Sequence, residues 1–140
     1  MSYNNQKGWS GETEFAKFLT DTSKQFGHKY VRIGNTERGK KFLHGDVVLD
    51  PRTNKNKNAF LQDYFLEAKF MAHPDVFKII AEHEAKAKEY GKIGTIAYII
   101  KQEKGSKRVG TIIAMTPDTF SKIIKELQGF REEETVDNVA

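Results

Sequence analysis

The sequence predicts a single α/β domain with a central mixed five-stranded sheet flanked by helices. Three observations lead there. Apolar residues recur at helical spacing in three stretches, and strand-like apolar runs lie between them, in the order helix, three strands, helix, two strands, helix. The longest run, residues 59–70, is mostly apolar on both faces, as a strand covered by helices on both sides should be. Pro74 and Gly91 bracket a helical stretch between that run and a terminal hairpin, proline as first helical residue and glycine just past the end.

The first helix is expected over residues 10–26, where Phe15, Phe18, Leu19, Thr22 and Phe26 fall on one stripe. At the helical advance per residue, Glu12 lies roughly 60° from the centre of that stripe and Glu14 about 100° away. Glu12 thus leans toward the core. Two readings fit it: a first-turn acid complementing the helix dipole, or an acid aimed at a site on the sheet.

Two strands follow, residues 29–33 and 45–49. The connection between them, 34–44, carries two glycines and the cations Arg38, Lys40 and Lys41, more than a tight hairpin needs, and reads as a functional loop. A polar turn at 50–58 leads into the third strand, 59–70, completing an antiparallel meander. On that strand Leu61, Phe65, Glu67 and Lys69 are assigned to one face, and Phe60, Tyr64, Leu66, Ala68 and Phe70 to the other.

The helix beginning at Pro74 has Asp75 in its first turn and Val76, Phe77, Ile80, Ala87 and Tyr90 as inward candidates. Lys78, Lys86, Lys88 and Lys92 form an outer face that suits solvent or a phosphate backbone. Strands 95–100 and 109–115 make a hairpin, and Thr116 and Pro117 start a third helix with Phe120, Ile123, Ile124 and Leu127. Gly129 is read as its stop. The domain is therefore placed at residues 1–130, with 131–140 an acidic tail expected to be disordered.

Composition narrows the partners. The formal net charge is +4, but the tail holds four acids and one base, so residues 1–130 carry 22 basic against 15 acidic residues, +7. A surplus of that size favours a polyanion. There is no cysteine, which excludes disulfides and thiolate metal sites. The polar N-terminus and the lack of a long apolar run predict a soluble, cytoplasmic protein with no membrane partner. His28, His44, His73 and His83 show no zinc spacing, although His44 lies two residues before Asp46. No phosphate loop or serine triad is present, and no nucleotide cofactor is expected.

The chemistry concentrates at Gly45-Asp46-Val47 and at Leu66-Glu67-Ala68-Lys69. Charged residues within apolar runs are costly unless used, and Glu67 and Lys69 project from one face because side chains alternate along a strand. Two carboxylates and an ammonium can thus converge. Hard oxygen donors of this kind bind Mg²⁺ or Mn²⁺, and a lysine beside them can orient water or stabilise phosphoryl charge. The constellation points to a metal-dependent nuclease.

These elements resemble the PD-(D/E)xK nuclease superfamily, and within it the Holliday junction resolvases of archaeal type that some phages also carry. Lys7-Gly8-Trp9-Ser10-Gly11-Glu12-Thr13-Glu14-Phe15 is similar to their opening helix, Tyr30-Val31-Arg32 to their first strand, and the Asp46 and Glu67 segments to their two active-site strands. The likeness spans residues 7–127. It implies a restriction-endonuclease-like αβββαβ core in which Glu12, Asp46 and Glu67 bind Mg²⁺, with Mn²⁺ as substitute and the Ala68 carbonyl as a backbone ligand. It further implies that Lys69 positions the attacking water and that Lys7 and Arg32 contact DNA. Arg38, Lys40 and Lys41 of the loop join them as DNA-binding candidates. The implied enzyme is a homodimer, with an aromatic contact near Tyr90, making paired nicks in branched double-stranded DNA. Gly45 stands where the superfamily has proline, Thr13 where the archaeal enzymes carry arginine, and the 34–44 connection is longer than theirs. Two other readings remain: a restriction- or repair-type endonuclease acting on linear or nicked duplex, and a non-catalytic DNA-binding module.

Overall fold

The computed structural model describes residues 3–33, 45–50, 61–103 and 107–139, with side chains from residue 11 onward apart from Phe26 and residues 130–139. The chain runs α1 (Tyr3–Thr22), a 3₁₀ turn (Lys24–Phe26), β1 (Tyr30–Arg32), β2 (Val47–Leu49), β3 (Tyr64–Met71), α2 (Val76–Glu89), β4 (Gly94–Gln102), β5 (Arg108–Ala114) and α3 (Pro117–Val139). The αβββαβ order is present. One open sheet holds the strands in sequence order, β1-β2-β3-β4-β5. β1, β2 and β3 pair antiparallel, β3 and β4 parallel across the α2 crossover, and β4 and β5 antiparallel, so the sheet is mixed as expected.

Alternation along β3 and β4 sorts the core into two layers. Phe15, Ala16 and Leu19 of α1 pack on Tyr30, Val47, Tyr64, Leu66, Ile96, Tyr98 and Ile100, with Phe15 stacked on the Tyr98 ring at 4.9 Å. Ile79 of α2, flanked by Val76 and Ile80, covers Ala97 and Ile99 on the opposite side. Each fully buried large side chain here is worth about 1.5–3 kcal/mol relative to exposure. With both its faces covered, β4 is buried nearly throughout, whereas β5 is an exposed edge.

Several boundaries differ from expectation. Leu61 has φ 63° in a turn that precedes β3, so it does not continue the strand's alternation and packs with Tyr64 and Leu66 on the α1 side. Asp75 is the cap of α2 rather than part of its first turn: its carboxylate accepts from the Lys78 N–H at 3.2 Å. Phe77 is 91% exposed, and the inward face of α2 is instead Ile79, His83 and Ala87. Thr116 caps α3, its hydroxyl accepting from the Thr119 N–H. Gly129 does not end that helix, which runs on to Val139, so the acidic tail expected to lack structure is helical backbone. Glutamate is a good helix former and no proline interrupts, while one internal glycine costs only about 1 kcal/mol. Among the described residues no helix is long and apolar enough to cross a membrane.

Candidate active site

The site is built where β2 begins against the middle of β3. The two strands share a single register pair, Val47↔Leu66. One residue earlier the Asp46 N–H donates to the Leu66 carbonyl at 2.9 Å, and the Asp46 carboxylate accepts from the Ala68 N–H at 3.0 Å. A side chain thus takes the place of the next rung of the ladder. Gly45 makes this approach possible: its φ is 103°, and a Cβ there would lie 2.9 Å from the Leu66 carbonyl oxygen. Proline, with φ locked near −65°, does not fit this position.

Because Val47 and Leu66 face α1, alternation sends Asp46 and Glu67 to the α2 side. Both are buried, at 7% and 8% exposure. Their carboxyl groups hydrogen-bond to each other, and Glu67 is pushed up to about 8, by burial first, then by the charge of Asp46 and the bond to it. Lys69 and Lys86 pull in the opposite direction. Near neutral pH the pair therefore holds a proton. Two buried, adjacent carboxyls, with Glu67 raised well above its ordinary acidity, form a donor set that a divalent cation fits, since its charge would cancel their repulsion.

His83 of α2 stands beside this pair. It is 1% exposed, with Nε2 at 3.8 Å from Glu67 Oε2 and its ring edge-on to Phe65. Burial, then Lys69 and Lys86, lower it to about 4, so the imidazole is neutral. Its place in the sequence carries no zinc spacing. The available signal was positional: Ile79, His83 and Ala87 are spaced by four, so the inward stripe of α2 runs through His83.

Glu12 approaches from the other side of the sheet. Its neighbour Gly11 lies against Ala68, Phe70 and Ile100, and Glu12 Oε2 is 3.0 Å from Nε of Arg32. The structure thus joins two expected site residues, Glu12 and Arg32, to each other. Glu14 is engaged elsewhere, by Arg108 at 2.7 Å and by the Tyr98 hydroxyl. Among the described residues no three Asp, Glu, His or Cys side chains gather as a ready cation cage. The Lys7 side chain, the loop cations Arg38, Lys40 and Lys41, His44 and the turn at 51–60 lie outside the described residues.

No family model, curated protein or solved structure matches the chain.

Proposed function

We propose that the protein is a Mg²⁺-dependent endonuclease of the cytoplasm that resolves four-way DNA junctions as a homodimer. The observation that carries this reading is the buried Asp46–Glu67 carboxyl pair with Lys69 two residues along the same strand face. Asp46 and Glu67 would hold the cation, Mn²⁺ serving in place of Mg²⁺. The Ala68 carbonyl would join them: the Ala68 N–H points to Asp46, and within a strand a residue's N–H and C=O point the same way. Bound there, a divalent cation supplies Lewis-acid polarisation of the phosphodiester and lowers the pKa of water. Lys69 orients the attacking water and offsets charge developing on the phosphoryl oxygens as the bond from water to phosphorus forms and a bond to a deoxyribose oxygen breaks.

Charge supports a nucleic-acid substrate. Residues 1–130 carry the +7 surplus, and α2 exposes Lys78, Lys86 and Lys88, of which Lys86 is close enough to act on Glu67. Glu12 holds the Arg32 guanidinium at the same end of the sheet, where it serves as a phosphate contact.

The test is a gel with a four-way junction beside a linear duplex of matched sequence, with Mg²⁺ and with chelator. Mg²⁺-dependent cutting of the junction and a largely intact duplex is the expected result. Equal cutting of both replaces the junction reading with a restriction- or repair-type nuclease. Binding with no cutting in any divalent metal leaves a non-catalytic module.

A further inference from the structure

A fully buried imidazole with an unpaired nitrogen is an expensive way to fill a core. Nδ1 of His83 has no hydrogen-bond partner among the described residues, which costs about 1–3 kcal/mol for a buried polar group. A leucine would continue the apolar stripe of Ile79 and Ala87 without that cost. What His83 has instead is a polar neighbour in a useful direction, Oε2 of Glu67 at 3.8 Å, roughly 0.6 Å beyond the longest ordinary hydrogen bond.

We infer that His83 is a positioning residue for the metal centre: its Nε2–H donates to Glu67 Oε2 and so turns the other carboxylate oxygen toward the cation. The inference rests on the proposed metal site. A Glu67 oxygen that held a cation would leave the other free to accept a hydrogen bond, and His83 Nε2 is the group that stands beside Oε2. His83 reaches it by a small side-chain adjustment. Because nothing engages Nδ1, no competing partner draws the proton away from Nε2, and the tautomer that donates to Glu67 is the favoured one. Carboxylate ligands oriented in this way commonly lose 10–100-fold in metal affinity when the outer partner is removed.

Mn²⁺ binding to the full chain without DNA, followed by the electron paramagnetic resonance of free Mn²⁺, isolates this role from catalysis. Three variants divide the outcomes. His83→Gln places an amide N–H near the position of Nε2 and should bind within about threefold of wild type. His83→Asn keeps a polar side chain but falls short of Glu67, and His83→Leu removes the donor; both should bind about 10–100-fold more weakly. A metal-free thermal melt shows whether each variant is folded. Core disruption moves Gln and Asn together, so equal weakening of the two overturns the inference, as does wild-type affinity in the Leu variant. A wild-type chain that takes up no Mn²⁺ overturns the metal site itself, and His83's role with it.

Discussion

The Asp46 carboxylate accepts the Ala68 backbone N–H at 3.0 Å, and this contact joins the two strands at the point where their pairing stops. It fixes the carboxylate next to Glu67, whose side chain leaves β3 one residue before Ala68. One hydrogen bond thus sets the separation of the two acids, using backbone rather than a mobile side chain.

If that pair holds the cation, Asp46→Asn or Glu67→Gln should lower junction cleavage at least ~100-fold, the loss of several kcal/mol of transition-state stabilisation. Binding of the junction without metal should persist, because removing a negative charge does not weaken attraction to phosphate. Cleavage assays with a parallel gel shift measure both. Full activity in either variant ends the nuclease reading. Glu12→Gln should also cost activity, through loss of its hold on Arg32.

Gly45 should tolerate no side chain. Gly45→Ala combines an unfavourable φ with a contact at 2.9 Å to the Leu66 carbonyl, for a cost of about 1–3 kcal/mol. Its melting temperature should fall by several degrees, and its Mn²⁺ affinity should fall as Asp46 is pushed from Ala68. An Ala variant with wild-type stability and affinity would show that the β2–β3 approach is looser than the geometry states.

Much of this arrangement was legible in the sequence. Strand alternation placed Glu67 and Lys69 on one face, and the helix angle of Glu12 leaned it toward the sheet. What escaped depends on tertiary context. The turn at Leu61 resets the phase of β3, and no glycine marks it. Phe77 looks like core by composition but is exposed, whereas His83 looks like surface and is buried. The Glu12–Arg32 pairing joins a helix to a strand across 20 residues, which no local pattern reports.

The acidity of the site makes stability depend on pH. Glu67, ordinarily near 4.5, stands at about 8 in the fold, so between those values the native state holds a proton the unfolded chain has lost, and stability falls as pH rises. His83, ordinarily near 6.5, stands at about 4, so between 4 and 6.5 the unfolded chain holds the extra proton and stability rises with pH. The two slopes, each at most ~1.4 kcal/mol per pH unit, oppose each other from 4.5 to 6.5. Above 6.5 only Glu67 of these two still contributes. Metal-free protein should therefore lose stability between pH 6.5 and 8 in denaturant titrations, and Glu67→Gln should flatten that decline. A flat wild-type profile there would mean Glu67 keeps ordinary acidity.

The cations of the 34–44 connection should contact phosphate. Replacing Arg38, Lys40 and Lys41 with alanine removes up to three contacts, so the slope of log affinity against log salt should shrink by as much as ~2.7. Fluorescence anisotropy on a labelled junction across 50–200 mM salt, roughly the range in which such slopes are read, makes the comparison. An unchanged slope makes the loop a bystander.

Resolving a junction requires two cuts placed symmetrically about the branch point, and under the proposed function one Asp46–Glu67 site would make one. A twofold pair of chains presents two sites to a substrate of matching symmetry. Tyr90 is the candidate contact: it is 43% exposed, with its ring stacked on Phe65 at 5.9 Å, and Ile93 three residues on is equally open. Aromatic residues of this kind often anchor interfaces, and truncating one that does costs over 1 kcal/mol, or more than about fivefold in affinity. Sedimentation velocity should give a dimer at micromolar concentration and a weaker one for Tyr90→Ala. On a junction carried in a supercoiled plasmid, wild type should release linear product directly, since both strands are cut within one binding event, while Tyr90→Ala should accumulate the singly nicked circle. A strict monomer that linearises the plasmid without a nicked intermediate would overturn the paired-site reading and leave the Asp46–Glu67 site untouched.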